Sequence, residues 1–345
     1  MTISLKATSI TLSISFLYLF CLPRKRGIMD QNNQSTVTEF LLLGLSERPE
    51  QQPLLFNIFL AMYLVTMLGN LLIILATGSD LHLHTPMYFF LANLSFADAC
   101  FSSTIVPKML VNIQTHSETI SYEGCLSQMY LLMTFGALDD FLLGVMAYDC
   151  YVAICRPLHY STLMSPLVCV LLLAACWVLT SFAALLHTLL MARLSFCASK
   201  TIQHFFCDVV PLLQLSCSDT RTNQVAVFIV GSVVLTGPLS LVILSYARII
   251  PTILRIPSAS GRQKAFSTCG SHLTVVFLFY GTAISVYLDP PLSHSGGKDR
   301  VAAVIYTVVI PMLNPFIYSL RNSDVKTALK KLLGIHTLLF LLVSL

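Results

Sequence analysis

Seven separate stretches of this chain are predominantly apolar and long enough to cross a membrane, and a fold must place each of them. A bilayer core requires roughly 20 apolar residues per helix. The stretches are Leu54–Thr77, Pro86–Ile105, Cys125–Ala147, Leu167–Leu190, Gln224–Ala247, Phe266–Leu288 and Val301–Leu320. Polar or Pro/Gly-bearing segments such as "GSDLHLHT", "RPLHYSTLMSP" and "DPPLSHSGGKDR" separate them. Charged residues make up 10% of the 345 residues and hydrophobic ones 56%, whereas soluble domains carry about 25% charged. Most of the chain is therefore solvated by lipid. The sequence predicts an all-α membrane protein, a seven-transmembrane helix bundle occupying 54–320.

What lies outside the bundle is short. Residues 1–29 form an apolar extension, 30–53 an extracellular N-terminus, and 334–345 an apolar tail. The run Ile10–Leu22 is too short to span comfortably. It has a signal-like core without a small-residue cleavage site, so Met29 is the expected start. In 321–333, Val325, Ala328, Leu329 and Leu332 recur at helical spacing with Lys326, Lys330 and Lys331 on other faces. That pattern predicts a short amphipathic eighth helix on the membrane surface.

Basic residues orient the bundle weakly. With Leu54 entering from outside, nine Lys/Arg fall on the cytoplasmic side and seven outside. Cysteines are more decisive. Cys125 opens the third span, and Cys197, Cys207 and Cys217 lie in the long loop after the fourth, all on one side. Disulfides persist in oxidising compartments, so that side is expected to be extracellular. The four permit three pairings. The acceptor "NQS" at Asn33 falls on the same side and is expected to carry glycan. "NLS" at Asn93 lies inside a span and is expected to be silent.

Acids in the middle of spans point inward. Asp98 and Asp139 sit mid-span, where a charge costs several kcal/mol unless it faces the bundle interior. Two such acids would share a proton or hold a cation. Asp140 points about 100° away from its neighbour, so the pair does not share one face. In "NPFIY", Pro315 kinks the last span.

The motifs resemble those of the olfactory receptors, rhodopsin-like G-protein-coupled receptors, in their tetrapod-type branch. They are Gly69–Asn70, "LHTPMYFFLANLSFAD" from Leu83, "MAYD-YVAIC-PLHY" from Met146 to Tyr160, Ser245–Tyr246, "KAFSTCGSHLTVV" from Lys264 and "PMLNPFIYSLRN" from Pro311. They occur in order across about Asp30 to Leu333. The resemblance implies an inner polar network of Asn70, Asp98, Asp139 and Asn314, with a sodium site at Asp98 and Asp139. It implies that the Pro315 end of span seven shifts on activation, bringing Tyr318 to Tyr246. It also selects the disulfide pairing Cys125–Cys207 with Cys197–Cys217.

For the ligand, the resemblance implies a pocket about two turns below Cys125. Its residues would be Leu132, Met133, Gly136 and Ala137 in span three, Val230 and Val234 in span five, Tyr280, Ala283, Ile284 and Tyr287 in span six, and Val304 and Thr307 in span seven. This lining is apolar with a few hydroxyls. It lacks the acid that amine receptors place at Leu132 and the span-seven lysine of retinal proteins. A small, neutral, volatile odorant fits it. The other implied partners are the lipid bilayer and a heterotrimeric G protein of the stimulatory olfactory type, signalling to cAMP from the plasma membrane. The N-terminus would be extracellular and the C-terminus cytoplasmic.

One motif position departs from the family. Where "DRY" is expected, this chain has Asp149-Cys150-Tyr151. Cysteine offers neither an ion pair nor the fixed fork of guanidinium donors, so impaired coupling is expected. The alternatives are a drifted, non-signalling receptor, and a transporter or channel, which would want inverted repeats or a continuous polar pathway. No H-E-x-x-H, G-x-S-x-G or Walker motif marks an enzyme. No cofactor and no nucleic-acid partner are expected; the net charge is only +4, without a long basic run.

Overall fold

The computed structural model describes residues 37–45, 48–196, 200–288, 296–321, 324–332 and 334. From Thr38 onward they belong to one compact unit. Asn33 and Cys197 lie outside the described residues, as do residues 1–29.

Seven long helices build the unit. They are α1 (Gln52–Ser79), α2 (Pro86–Thr115), α3 (Tyr122–Cys155), α4 (Pro166–Met191), α5 (Arg221–Leu254) and α6 (Ala259–Leu288), followed by α7. The last is assembled from Gly296–Val304, a π-helical Ile305–Val309 and Ile310–Arg321. Each expected span falls inside one helix. Among the described residues, six helices meet the length and apolarity needed to cross a membrane, with Arg300–Ser319 as the qualifying part of α7. The remaining one, α6, has 30 residues and reaches about 45 Å at 1.5 Å per residue. Its Ser, Thr, Gly and His residues dilute its apolarity. Helices run past the apolar stretches because polar residues such as Asn112 and Arg248 continue a helix once it leaves the bilayer core.

Start signals are local. Pro53, Pro86 and Pro166 sit in first turns, where a missing N–H costs nothing. Ser121 and Ser165 accept the backbone N–H of Gly124 and Val168 as N-caps. The axis of the bundle is α3: 72% of its apolar window is buried, against 11% for α5. Leu64, Leu68 and Leu71 of α1 and Phe228, Ile229 and Val233 of α5 are exposed, as lipid-facing residues must be. Two glycines permit close helix contacts. A Cβ at Gly69 would sit 3.1 Å from Pro315 of α7, and one at Gly144 would sit 3.1 Å from Pro238 of α5.

One end of the bundle is capped. Cys125 at the start of α3 is bonded to Cys207, with Cα atoms 5.5 Å apart. Cys217 is also disulfide-bonded. Strand β1 (Glu39–Leu42) lies between β2 (Thr119–Ser121), antiparallel, and β3 (Thr201–Ile202), parallel. Gln128 fastens the cap to the bundle: its Nε2 donates to the Thr104 carbonyl of α2, and its Oε1 accepts from the Cys207 N–H. At the opposite end, residues 324–332 form α8. Val325 and Ala328 are buried against the bundle, and Lys331 Nζ lies 3.0 Å from Asp80 Oδ2 in the α1–α2 connection. The Asp80 carboxyl is held well below the usual carboxylate range by the His82 N–H, then the His82 ring, then Lys331.

The cap holds a half-buried histidine. His204 packs its ring against Phe206, centroids 4.2 Å apart, and burial, then the Arg300 charge, lowers its pKa to about 4. A depressed folded pKa means the unfolded chain takes the proton first as pH falls. Stability contributed by neutral His204 is therefore complete above about 6.5 and is lost between there and about 4. Half-buried Asp208, whose pKa is raised by desolvation, acts with the opposite sign. Thermal unfolding of purified receptor from pH 7 to pH 4.5 should show a steeper loss for the native chain than for His204→Gln. Parallel curves would exclude His204 as the cause.

Candidate functional site

The polar interior is organised by α7. Proline removes the N–H that would otherwise bond to the carbonyl four residues earlier. Pro315 thus strands the Pro311 carbonyl, and Asn70 Nδ2 of α1 donates to that oxygen at 3.2 Å. Pro311 strands the Thr307 carbonyl inside the π-helical segment, and Ser102 Oγ of α2 donates to it at 3.4 Å. A buried carbonyl left without a donor in lipid costs several kcal/mol, so these two side chains are what allow α7 to bend.

One turn on, the acid enters. Asn314 Nδ2 donates to both carboxylate oxygens of Asp98, at 3.1 and 2.9 Å. Asp98, Asn314, Asn70 and Asp139 are all buried. The Oδ1 of Asp139 has no hydrogen-bond partner. The Oδ1 atoms of Asn70 and Asn314 are likewise buried and unpartnered. Three buried amide or carboxylate oxygens of the interior are thus without hydrogen-bond partners. Asp140 faces elsewhere and accepts from the Tyr280 hydroxyl of α6.

The end opposite the disulfide is built from α3, α5 and α6. His272 of α6 is 2% exposed. Its Nε2 meets the Leu143 carbonyl of α3 at 3.0 Å, and its Nδ1 meets the Tyr246 hydroxyl of α5 at 3.0 Å. The Tyr246 hydroxyl also reaches the Cys269 carbonyl at 3.3 Å. Tyr318 is buried nearby with its hydroxyl unpartnered. Tyr246 and Tyr318 are therefore not hydrogen-bonded to each other here. Asp149 accepts from the Tyr160 hydroxyl at 2.9 Å, and Tyr160 follows α3 in the connecting loop. Burial, then the Asp149 charge, raises the Tyr160 phenol, so it remains a neutral donor. Cys150 is buried, and the small cavity against it is shared with Thr268, Ser271 and His272 of α6.

The residues expected to touch ligand are spread over α3, α5, α6 and α7. Leu132, Tyr280 and Thr307 are buried, and Met133, Gly136, Ala137, Val230, Val234 and Val304 are half-buried. The side chains of Ala283, Ile284 and Tyr287 lie outside the described residues. Two of the expected hydroxyls are already engaged: Tyr280 by Asp140, and Thr307 by the Ala303 carbonyl. A cavity of about 420 Å³ lies under the cap, between β1, α1 and α2. A smaller one of about 20 Å³ lies against Cys150, His272 and Tyr318. Neither is lined by a residue expected to touch ligand.

Sequence reasoning left Asp140 without a partner and did not single out His272, Cys269 or Tyr160. The signal for His272 was present as an imidazole inside an apolar helix. Its partners are 129 and 26 residues away. Among the described residues, no group of three or more His, Cys, Asp or Glu marks a metal centre.

A seven-helix membrane bundle with an amide-and-acid interior and a proline-bent α7 is the architecture of a membrane receptor. Comparison with known proteins agrees. The family model described as olfactory receptor matches residues 59–335. Olfactory receptor 1N2 of Homo sapiens is 64% identical over 300 residues, covering 87% of this chain and 95% of that protein. Olfactory receptor 1N1 of Homo sapiens is 63% identical, covering 87% and 96%. Olfactory receptor 1f45 of Rattus norvegicus is 60% identical over 308 residues, covering 89% and 98%. The chain belongs to the olfactory receptor family, multi-pass G-protein-coupled receptors for odorants and not enzymes.

The Asp140–Tyr280 bond joins the axis of the bundle to α6. Tyr280→Phe leaves a buried acceptor unanswered and should cost about 1–3 kcal/mol, whereas replacing both partners by apolar residues should be close to neutral. Unfolding of Tyr280→Phe, Asp140→Leu and the double variant in detergent measures this. An additive double variant would exclude the coupling.

Proposed function

We propose that this receptor takes a small, neutral, largely apolar odorant between α3, α5, α6 and α7, and signals through a stimulatory olfactory-type G protein to cAMP. The observation that carries the ligand class is the apolar, half-buried character of Met133, Ala137, Val230, Val234 and Val304. A charged ligand would be stranded there without a partner, whereas an apolar one exchanges water for packing. The bound state would favour an arrangement of α6 and α7 that the free receptor reaches less often.

The proposed topology puts the disulfide cap outside and α8 in the cytoplasm. Oxidising conditions on the Cys125–Cys207 side support it. Glycan at Asn33 and none at Asn93 belongs to the same reading. Asn93 is on α2, with its amide bonded to the Phe89 carbonyl. Asn33→Gln should abolish the mobility shift on glycosidase treatment; a shift that persists in this variant would overturn the topology.

A sodium ion suits the interior. Asp98 and Asp139 supply carboxylates, and the unpartnered Oδ1 atoms of Asn70 and Asn314 add neutral oxygens of the hard type such a cation prefers. When bound, the ion would neutralise charge between α2 and α3. The residues themselves hold α7 through Asn314 and the Pro311 carbonyl.

Coupling in this chain is weakened by Cys150. A motif arginine would offer charge-assisted hydrogen bonds to the G protein, each worth about 1.5–3 kcal/mol, or roughly 10- to 150-fold in an equilibrium. Cys150→Arg should raise agonist-evoked cAMP at matched surface expression. Equal responses from the native chain would show that the arginine is dispensable. Silence from both would favour the second reading, which Cys150 itself motivates: a receptor that no longer signals.

A further inference from the structure

The cavity of about 420 Å³ under the cap lies apart from every residue expected to touch the odorant. Its size falls within the range of small-molecule sites, roughly 300–1,000 Å³. Leu45, Leu55, Met109, Ile113 and Phe205 give it an apolar wall. Several polar groups on its lining are already engaged. The Ser117 and Thr119 hydroxyls meet at 3.1 Å, and Glu118 Oε1 accepts the Gly44 N–H at 3.3 Å. Two carboxamides differ. Gln52 at the start of α1 and Asn112 near the end of α2 both line the cavity, and each has a buried oxygen without a hydrogen-bond partner. With no bond to hold that oxygen, each carboxamide can turn about its last, broad torsion and present either oxygen or N–H2 to the cavity.

Charge selects the occupant. Among the described residues no Lys or Arg lines the cavity, whereas Glu118 does, so an anion would meet a carboxylate and no counter-ion. An ammonium would gain little. Glu118 is exposed to water, and Arg300 Nη1 lies 3.4 Å from the carbonyl of Gly44, the residue whose N–H Glu118 accepts. A neutral hydroxyl suits a carboxamide in either orientation, because it donates to the oxygen and accepts from the N–H2. A ketone or an ether can only accept. We propose that this cavity is a second small-molecule site, built for a neutral alcohol. Its hydroxyl bonds the carboxamide of Gln52 or Asn112, and its apolar body lies on Leu55 and Ile113. The occupant touches β1, α1 and α2 together, and so ties the cap to two helices of the bundle. A ligand that binds only the folded chain stabilises it in step with occupancy.

The test uses the full-length receptor in lipid nanodiscs and 1-octanol carrying a diazirine in its chain. After photolysis the labelled peptides are mapped by mass spectrometry, with and without excess unlabelled competitor. The expected result is saturable label on the peptides holding Leu41–Leu45 and Met109–Ile113, displaced by 1-octanol and not by octanoate, octylammonium or octane. Replacing both carboxamides, Gln52→Leu with Asn112→Leu, should weaken the apparent affinity about tenfold, the loss of one neutral hydrogen bond. Ile113→Phe keeps the carboxamides and fills the space, and it should abolish the saturable label, so the site is tested even where the double variant fails to fold. Thermal unfolding of the native receptor should move upward with 1-octanol and stay still in Ile113→Phe. Label that does not saturate, or that survives Ile113→Phe, would overturn the site. Equal competition by octanoate or octylammonium would overturn the ligand class. Saturable label confined to peptides holding Met133, Val230 or Tyr280 would place the alcohol in the odorant site alone and overturn a second one. None of these measurements needs an agonist, a G protein or a known orientation in the membrane.

Discussion

The bundle depends on two hydrogen bonds to carbonyls that prolines have stranded. A helix that bends inside lipid must answer each freed oxygen with a side chain from a neighbour. Asn70 does this for Pro311, and Ser102 does it for Thr307. The rest of the interior follows from that bend. Gly69 lets α1 approach Pro315 closely enough for Asn70 to reach. The bend also carries Asn314 to Asp98, so the acid of α2 is held by α7 rather than by its own helix. Without the two donors, the buried Pro311 and Thr307 carbonyls would be left unanswered, since proline has no N–H to supply.

Polar contacts are then distributed by level. Near the cap, Gln128 joins α2, α3 and the disulfide loop. At mid-height, Asp98 of α2 is held by Asn314 of α7, while Asp140 of α3 turns to Tyr280 on α6. At the far end, His272 bridges Leu143 and Tyr246. Each level ties α3 to a different set of helices, which is why α3 is the most buried of the apolar helices. Helices α1 and α5 bury one stripe each, including Phe59, Asn70 and Ile73 of α1 and Val242, Tyr246 and Ile249 of α5, and expose apolar residues elsewhere to lipid.

The spans were legible because lipid imposes a length and a composition on each one. Their ends were not, since helices such as Tyr122–Cys155 continue on hydrogen bonding and capping after apolarity stops. The strands of the cap were also illegible: Thr119–Ser121 and Thr201–Ile202 are too short to show alternation, and they form because a disulfide brings their loops together. Within the site, mid-span acids announced themselves by cost, and Asp98 is bonded to Asn314. Their exact partners did not, because a pairing such as Asp140 with Tyr280 spans 140 residues and leaves no local pattern. Cys150 stood out only against a motif.

The Tyr160–Asp149 bond has a consequence of its own. The acid at the foot of α3 is answered by a neutral phenol from the adjoining loop, 11 residues on, and not by a cation. Dissolved salt acts on full charges, over a distance of about 8 Å at physiological ionic strength. A bond to a neutral donor at a partly buried site presents little for it to act on. This junction is therefore set by shape and hydrogen-bond geometry, and its register between loop and helix should hold from dilute buffer to concentrated brine.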